Sequence, residues 1–247
     1  MKPTAIVFLF LGLSALAQPP AVSMAKEKLQ VLRTIPHSGY SEGLDFHEGF
    51  LWHSLPKEIL KISPKDGSIV ARFPPATEYN ESLTWLNGFL YIVSYSDNGI
   101  YRGKLTGDKF QFERVGTTPE VHAWGITHNG RDLFLTGNYS RVIYRMETKD
   151  FSIKSTITAD VTDVEDLAFD GKDLWSSSFT EHRGSIYRIE SKTGKVATIY
   201  ELPDPDSCPV IDGIAIDGKT FWLTGKNCPS IFNVKIPSAA ARAITKK

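Results

Sequence analysis

One motif recurs through the chain, and its clearest copy reads Asn80-Glu81-Ser82-Leu83-Thr84-Trp85-Leu86-Asn87-Gly88-Phe89-Leu90-Tyr91. It consists of an acidic or aromatic residue, a small residue, Leu or Ile, a turn rich in Gly, and an aliphatic–aromatic pair. The five copies lie at residues 42–52, 81–91, 124–134, 165–175 and 212–222. Such regular recurrence indicates a repeat architecture in which every copy builds the same structural unit.

The spacing of the repeats predicts the kind of unit. The Leu or Ile positions lie about forty residues apart, a period typical of four short strands per unit in a radial array. These positions are Leu44, Leu83, Ile126, Leu167 and Ile214. We therefore predict an all-β fold, a five-bladed β-propeller over residues 28–236.

The two ends of this domain complement one another. The fifth repeat supplies only three strands, at about 213–217, 220–224 and 230–236, whereas an alternating strand pattern over residues 28–35 precedes the first repeat. We expect this N-terminal strand to join the fifth blade and close the ring, which would remove an open sheet edge. Residues 237–247 then form a C-terminal tail.

Residues 1–17 have the pattern of a cleavable secretory signal peptide, with Lys2, an apolar core over residues 5–13 and Ala15-Leu16-Ala17. The apolar run is shorter than the roughly 20 residues that a membrane-spanning helix needs. We therefore expect a secreted or periplasmic protein. In an oxidising compartment the only two cysteines, Cys208 and Cys228, are expected to form a disulfide, with zinc binding as the alternative.

The charge balance excludes two classes of partner. The chain has 28 basic and 28 acidic residues and a formal net charge of zero. A neutral chain has no overall field that would attract nucleic acid or an anionic membrane surface. We expect a monomer that binds neither.

Strand direction gathers one set of side chains at one end of the propeller. The first residue of each repeat begins an innermost strand, and the five are Glu42, Glu81, Trp124, Glu165 and Asp212. Longer loops on the same face carry Tyr95, Phe179 and Lys226, and binding residues usually lie on such loops. Four neighbouring carboxylates cannot all remain ionised cheaply, so the ring either binds a cation or takes up a proton. This ring is the candidate site.

Two hydrolase motifs are not supported by their context. Gly39-Tyr40-Ser41-Glu42-Gly43 matches the G-x-S-x-G nucleophile elbow, but that elbow requires a strand-to-helix turn, and here another strand follows. The six histidines show no H-E-x-x-H spacing, which disfavours a zinc hydrolase.

At the repeat residues the chain resembles the plant- and bacterial-type glutaminyl-peptide cyclotransferases, secreted five-bladed propellers that convert N-terminal Gln to pyroglutamate. Tyr40-Ser41-Glu42-Gly43-Leu44 corresponds to that family's Phe-Thr-Gln-Gly-Leu motif, and Asn80-Glu81-Ser82-Leu83-Thr84 to its Gly-Glu-Gly-Leu-Thr motif. Trp124-Gly125-Ile126 matches a Trp-Gly-Leu element, and Thr224-Gly225-Lys226 matches Thr-Gly-Lys. The resemblance extends over nearly the whole chain after residue 17.

The chain departs from the family at three ring positions. Glu42 replaces a Gln, and Glu165 and Asp212 replace Asn, so groups that could donate hydrogen bonds become carboxylates that only accept them when ionised. Tyr95 and Phe179 stand where the family tends to have Trp.

The resemblance implies an aminoacyltransferase that needs no cofactor and acts on peptides or proteins with N-terminal Gln. It implies that Glu81 is the acid/base that moves a proton from the amine to the departing ammonia. Lys226 is expected to bind carbonyl oxygen or to balance the acids. The remaining ring and loop residues are expected to bind substrate and exclude water: Tyr40, Glu42, Tyr95, Trp124, Glu165, Phe179 and Asp212.

Two other functions fit the pattern. In a calcium-dependent, lactonase-like hydrolase, Glu42, Glu165 and Asp212 would hold calcium at the channel mouth and the ion would polarise a carbonyl. In a secreted binding propeller the same fold would carry no chemistry, since a fold alone implies no activity.

Overall fold

A computed structural model describes residues 24–37 and 39–236. The expected signal peptide at residues 1–17 and the expected tail at 237–247 lie outside this range. The described residues form twenty-one β-strands and one short 3₁₀ helix at Pro205–Ser207. None of the described residues belongs to a helix long and apolar enough to cross a membrane.

The strands form five sheets. The first sheet contains β3 (Gly43–His47), β4 (Phe50–Leu55), β5 (Glu58–Ile62) and β6 (Ile69–Phe73). The second contains β7 (Asn80–Leu86), β8 (Phe89–Ser94), β9 (Gly99–Thr106) and β10 (Lys109–Thr117). The third contains β11 (Ala123–His128), β12 (Asp132–Gly137), β13 (Val142–Glu147) and β14 (Ile153–Thr158).

The fourth sheet contains β15 (Val164–Phe169), β16 (Leu174–Ser178), β17 (Ser185–Ile189) and β18 (Val196–Glu201), with β1 (Ala25–Lys28) at its edge. The fifth contains β19 (Val210–Ile216), β20 (Phe221–Lys226), β21 (Ser230–Lys235) and β2 (Gln30–Pro36). Each innermost strand contacts the innermost strand of the next sheet, and β19 contacts β3. The expectation of a five-bladed propeller is confirmed.

The N-terminal segment consists of two strands, whereas the sequence pattern suggested one over residues 28–35. β2 pairs with β21 in the fifth blade, antiparallel, from Pro36 opposite Ser230 to Gln30 opposite Lys235. β1 pairs with β18 in the fourth blade, in parallel orientation. Between them Leu29 is buried in the core shared by these two blades, and its amide donates to the Glu201 carbonyl at 2.8 Å. The chain thus crosses from one blade to the next at Leu29.

The aromatic residue of each repeat fills the space between neighbouring blades. Trp175 is fully buried, with ring centroids 4.6 Å from Phe221 in the next blade and 5.4 Å from Tyr200. The equivalent residues Trp52, Tyr91, Phe134 and Trp222 are also buried, each in a cluster with apolar side chains of the following blade. Burying a large aromatic side chain contributes about 1.5–3 kcal/mol, so this position stabilises every blade interface.

The Gly-rich turns of the repeats are of two kinds. Glu48-Gly49 and Asn87-Gly88 have positive φ at both residues, which matches the two-residue turns that join twisted hairpins. The other three are wider than the tight hairpins expected. In these, the first residue, Asn129, Asp170 or Asp217, accepts hydrogen bonds from the two amides at the far end of the turn.

The propeller axis is crowded, which explains the small residue of the repeat. A Cβ atom on Gly43 would lie 2.6 Å from the Ser82 Cα, and one on Gly125 would lie 2.5 Å from the Glu165 carbonyl oxygen. Both distances are too short for non-bonded atoms. The first, second, third and fifth repeats carry Gly or Ser at this position, whereas the fourth repeat carries Asp166.

Asp166 uses the room that these small residues leave. One carboxylate oxygen accepts from the Ser82 hydroxyl, and the other accepts from the Ile214 amide at 2.9 Å and the Leu44 amide at 3.3 Å. Burial raises the pKa of this carboxyl well above its ordinary value, while these hydrogen bonds oppose the shift. A single side chain on β15 therefore links the innermost strands of three other blades.

We predict that removing β2 destabilises the propeller far more than removing β1. Deletion of residues 1–36 opens the fifth blade and exposes the neighbours of Ile35, so the melting temperature should fall by on the order of 10 °C. Deletion of residues 1–28 removes only an edge strand. Calorimetry on the two truncations would contradict the prediction if their melting temperatures were equal.

We also predict that Asp166→Ala costs about 3 kcal/mol or more of unfolding free energy. The change leaves one hydroxyl and two amides buried without an acceptor, and each such group costs about 1–3 kcal/mol. Denaturant titration is the measurement, with the exposed Asp108→Ala as the matched control. A loss no larger than that of the control would show that the axis does not depend on this carboxylate.

Candidate functional site

A local irregularity places each ring residue at the channel mouth. In four innermost strands the ladder skips one extra residue at the start, for example between Asn80 and Leu83 in β7 and between Val164 and Leu167 in β15. A bulge of this kind re-aims side chains and is frequent beside active sites. In the first blade Glu42 lies just before β3, outside the ladder. The five expected ring residues are all buried: Glu42, Glu81, Trp124, Glu165 and Asp212.

Three of these residues, Glu81, Trp124 and Glu165, line a pocket of about 250 Å³ together with Lys226. The other lining residues are aromatic, namely Tyr40, Tyr79, Tyr95, Tyr139 and Phe179. Glu42 and Asp212 do not line the pocket, because they lie behind Lys226 and bind its ammonium.

Lys226 carries the positive charge of the site. Its Nζ lies 3.2 Å from Glu42 Oε2 and 3.1 Å from Asp212 Oδ2. Burial alone would lower the pKa of Lys226, but the carboxylates of Asp212, Glu165 and Glu42 raise it, so the ammonium stays charged. Its outer side faces the rings of Tyr40 and Phe179, whose centroids are 5.5 and 5.6 Å from Nζ, a cation–π arrangement.

Glu42 is held from both sides. Tyr79 donates its hydroxyl to Oε1, and Lys226 binds Oε2. Burial raises the pKa of Glu42, whereas Lys226 and the Tyr79 hydrogen bond oppose the shift. Burial and the bond to Glu42 raise the pKa of Tyr79, so its hydroxyl remains a donor. Glu42 is thus the ring carboxylate with the most support for its charged form.

Glu81 and Glu165 are the two ring carboxyls that face the pocket. Burial raises the pKa of Glu81 well above 4.5, and the charge of Glu42 adds to the shift. Burial also raises the pKa of Glu165, with Asp212 as the largest charged contributor. Within the described residues the Glu165 carboxylate accepts no hydrogen bond. Both groups therefore retain a proton to higher pH than an ordinary glutamate does.

Asp212 completes the charge pattern. Burial raises its pKa to about 7, with Lys226 opposing the shift and Glu42 adding to it. Four carboxyl groups thus share one ammonium, and the acids titrate as a coupled set. The sequence prediction that the ring must take up a proton or a cation is consistent with this arrangement.

Glu42, Glu165 and Asp212 are the ligands that a calcium-dependent hydrolase would use. In the part of the chain that the structure describes, no group of three or more His, Cys, Asp or Glu side chains could hold a metal ion. Glu42 and Asp212 instead point at the Lys226 ammonium, which supplies the positive charge that a cation would bring.

The aromatic side chains form the rim of the pocket. Trp124 packs edge-on against Tyr139 at 4.6 Å and lies 6.1 Å from Phe179. Opposite them Tyr79 lies 5.3 Å from Tyr95, which stacks on His122 at 4.3 Å. Tyr139 is 60% exposed and Tyr40 48%, so their faces are available to a ligand.

Sequence reasoning missed two of the lining residues. Tyr139 lies in the loop from β12 to β13, which corresponds to the loops that carry Tyr95 and Phe179, and its aromatic character was the available signal. Tyr79 lies in the connection from β6 to β7, a class of loop that was not assigned to this face. Its contact with Glu42 crosses from the second blade to the first and leaves no trace in the repeat pattern.

The disulfide predicted from the sequence lies near the site. Cys208 and Cys228 form a disulfide with Cα atoms 4.5 Å apart, so the disulfide prediction is confirmed. It joins the segment before β19 to the loop after β20, close to Asp212 and Lys226, and a disulfide that closes a loop of this length contributes about 3 kcal/mol.

Ser41 and His53 are fully buried and hydrogen-bonded to each other at 2.7 Å, and Ser41 is followed by a strand rather than a helix. The G-x-S-x-G match is therefore not an exposed nucleophile.

Comparisons with known proteins found a family match and similar solved structures. The family model described as glutamine cyclotransferase matches residues 4–236. The crystal structure of Myxococcus xanthus glutaminyl cyclase superposes with a TM-score of 0.73 at 17% identity, over 86% of this chain and 98% of that one. Virginiamycin B lyase from Staphylococcus aureus matches with a TM-score of 0.49 at 21% identity, over 79% of this chain and 66% of that one. No curated protein sequence matches.

The superposition on the Myxococcus xanthus structure shows the propeller fold. The family match shows more than the fold, because it spans all five blades and every residue of the acidic ring. The chain belongs to the glutamine cyclotransferase family.

Proposed function

We propose that the pocket cyclises N-terminal glutamine of peptides or proteins to pyroglutamate, with Glu81 as the group that moves the proton. The observation that carries this proposal is the position of Glu81. It lines the pocket, is buried beside Glu42, and has a pKa raised well above 4.5. A raised pKa brings a carboxyl closer to the range in which a general acid/base works best at neutral pH.

The reaction is intramolecular. The substrate's α-nitrogen attacks the side-chain carboxamide carbon, a new C–N bond closes the five-membered ring, and the former carboxamide nitrogen leaves. The enzyme must hold the folded-back conformer, stabilise the oxyanion that forms on the carbonyl oxygen, and carry a proton to the departing nitrogen.

The residues of the pocket fit these three tasks. Glu81 takes a proton from the attacking amine and gives it to the leaving nitrogen. Lys226 provides positive charge for the oxyanion, and its ion pairs with Glu42 and Asp212 keep the ammonium in place. Trp124, Tyr139 and Phe179 pack together on one side of the pocket, where they can hold the substrate and exclude water.

We also propose that the mature protein acts outside the cytoplasm and needs no metal ion. The disulfide between Cys208 and Cys228 supports an oxidising compartment. The pairing of Lys226 with Glu42 and Asp212 supports charge balance without calcium. A calcium-dependent hydrolase or a binding propeller would respond differently to the experiment below.

We predict that Glu81→Gln lowers the cyclisation rate at least about 100-fold, since loss of a general acid/base typically costs 10²–10⁴. The assay follows the loss of ammonia mass from a Gln-Xaa peptide, with and without chelator. Glu48→Gln, an exposed change in a turn on the opposite face, is the matched control. Chelator should not affect the wild-type rate. Wild-type protein that cannot cyclise any such peptide, or a Glu81→Gln variant with an intact rate, would refute the proposal.

The same variant should keep or gain stability at neutral pH. The pKa of Glu81 is raised on folding, so its contribution to stability is fully present below about 4.5 and is lost as the pH rises through the raised pKa. Gln has no such loss. A fall in the melting temperature of Glu81→Gln at pH 7 that calcium accentuates would instead favour the calcium-dependent hydrolase.

We predict that Glu42→Gln moves the acidic limb of the pH–rate profile to lower pH. The charge of Glu42 raises the pKa of Glu81, and an uncharged amide removes that contribution. A shift of about one pH unit is expected for loss of a neighbouring like charge. The measurement is kcat/KM between pH 4 and 9, in ~0.1 M salt so that distant charges are screened. An unmoved limb would show that Glu42 does not control the titrating group.

A further inference from the structure

The proposed reaction moves two protons, so the number of ring carboxyls that can carry a proton matters. A peptide's α-amino group has a pKa of about 7.7–8.0, so near neutral pH it is largely an ammonium with three protons. The lactam nitrogen keeps one of them. The carboxamide nitrogen already carries two and leaves as ammonium once it has received two more. Two protons must therefore pass from the α-nitrogen to the leaving nitrogen.

Only some of the ring carboxyls are free to take part. Glu42 and Asp212 are bound to the Lys226 ammonium, and Glu42 also accepts from Tyr79. Glu165 lines the pocket with Glu81, is 2% exposed, and accepts no hydrogen bond within the described residues. A buried carboxylate without a donor is costly, so a cationic ligand would stabilise it.

Among the described residues, Lys226 is the one cation that acts on Glu165. Lys226 is already shared by two other carboxylates, and the remaining charged groups that act on Glu165 are all acidic. These groups are Asp212 on β19, Glu42 before β3 and Asp166 on β15, with Glu81 across the pocket on β7. Thr136 on β12 donates its hydroxyl to the Glu165 carbonyl, and Trp124 on β11 lines the same pocket; neither side chain carries a charge. A second cation beside Glu165 is the charge that the ring lacks.

We propose that Glu165 binds the α-ammonium group of the substrate and accepts its first proton, while Glu81 carries the second. This inference rests on the proposed cyclase function and deepens it. Glu165 takes a proton from the ammonium and frees the lone pair of the amine. The amine attacks the carboxamide carbon, Glu81 moves the second proton to the leaving nitrogen, and Glu165 returns the first proton to the departing ammonia. Both carboxyls end in their starting state.

This assignment is specific to a carboxylate at position 165. An Asn, the residue expected from the family pattern at this position, can hydrogen-bond an amine but cannot take its proton. A site with an amide there must use substrate that has already lost a proton to water. The charged form of the substrate is thus the form that this chain recognises.

The test measures kcat/KM for a Gln-Xaa peptide as a function of pH. The readout is whether kcat/KM falls or rises as the pH passes through the α-amine pKa of the peptide. Wild-type protein that uses the ammonium should lose activity as the pH rises through the α-amine pKa of about 7.7–8.0. Glu165→Asn should instead gain activity through the same pKa, because it requires the neutral amine. The reversal of sign distinguishes a proton-accepting role from a purely structural one, which would lower activity equally at every pH.

Three controls accompany this test. Glu165→Asp retains a carboxylate and should keep the falling limb, and Glu190→Asn, an exposed change in the same blade, should match wild type. If Glu165→Asn does not fold, as judged by its melting temperature, Glu165→Gln replaces it. A Gln peptide with a lower α-amine pKa should move the limb to lower pH by the same amount.

The outcomes separate this inference from the proposed function. A wild-type protein that cyclises Gln peptides but shows the same rising limb as the amide variant refutes the role of Glu165 and leaves the cyclase function standing. A wild-type protein with no cyclisation at any pH refutes the proposed function itself.

Discussion

The convergence of five innermost strands on one axis is the constraint from which the rest of this structure follows. The strands approach so closely that Gly43 and Gly125 have no room for a Cβ atom. The one large residue at this level, Asp166, fits because its neighbours are small, and its carboxylate accepts hydrogen bonds from three other blades. The residue just before each of these axial positions is brought to the channel mouth. Crowding at the axis therefore places Glu81, Glu165 and the other ring residues close to one another.

Charge balance governs the site that this crowding creates. Four buried carboxyls and one ammonium cannot all be paired, so Lys226 divides the acids into two classes. Glu42 and Asp212 lie behind it and hold it in place, whereas Glu81 and Glu165 face the pocket with raised pKa values. Carboxylates stand at positions 42, 165 and 212, where amides were expected, and they alter the proton content of the ring. A substrate ammonium would restore part of the missing positive charge.

The missed elements share a physical cause. β1 was not predicted because its partner β18 lies about 170 residues away, and a parallel edge pairing needs no alternating apolar pattern. Leu29 looked like the interior of a single strand, yet it marks the crossing between two blades. Tyr79 reaches Glu42 across a blade interface, and Asn129, Asp170 and Asp217 widen turns that appeared to be tight hairpins. Each depends on a partner distant in sequence or on side-chain bonds that local pattern does not encode.

The sequence by itself determined the propeller, the five ring positions and the disulfide pair, because a repeat of near-constant period carries its own strand order and aligns equivalent residues. Burial of the repeat aromatics and crowding at the axis enforce that pattern in every blade. Only the tertiary structure decided which carboxylates pair with Lys226 and which face the pocket. Those assignments depend on distances of about 3 Å between side chains from different blades, since both ion pairing and desolvation change steeply over that range.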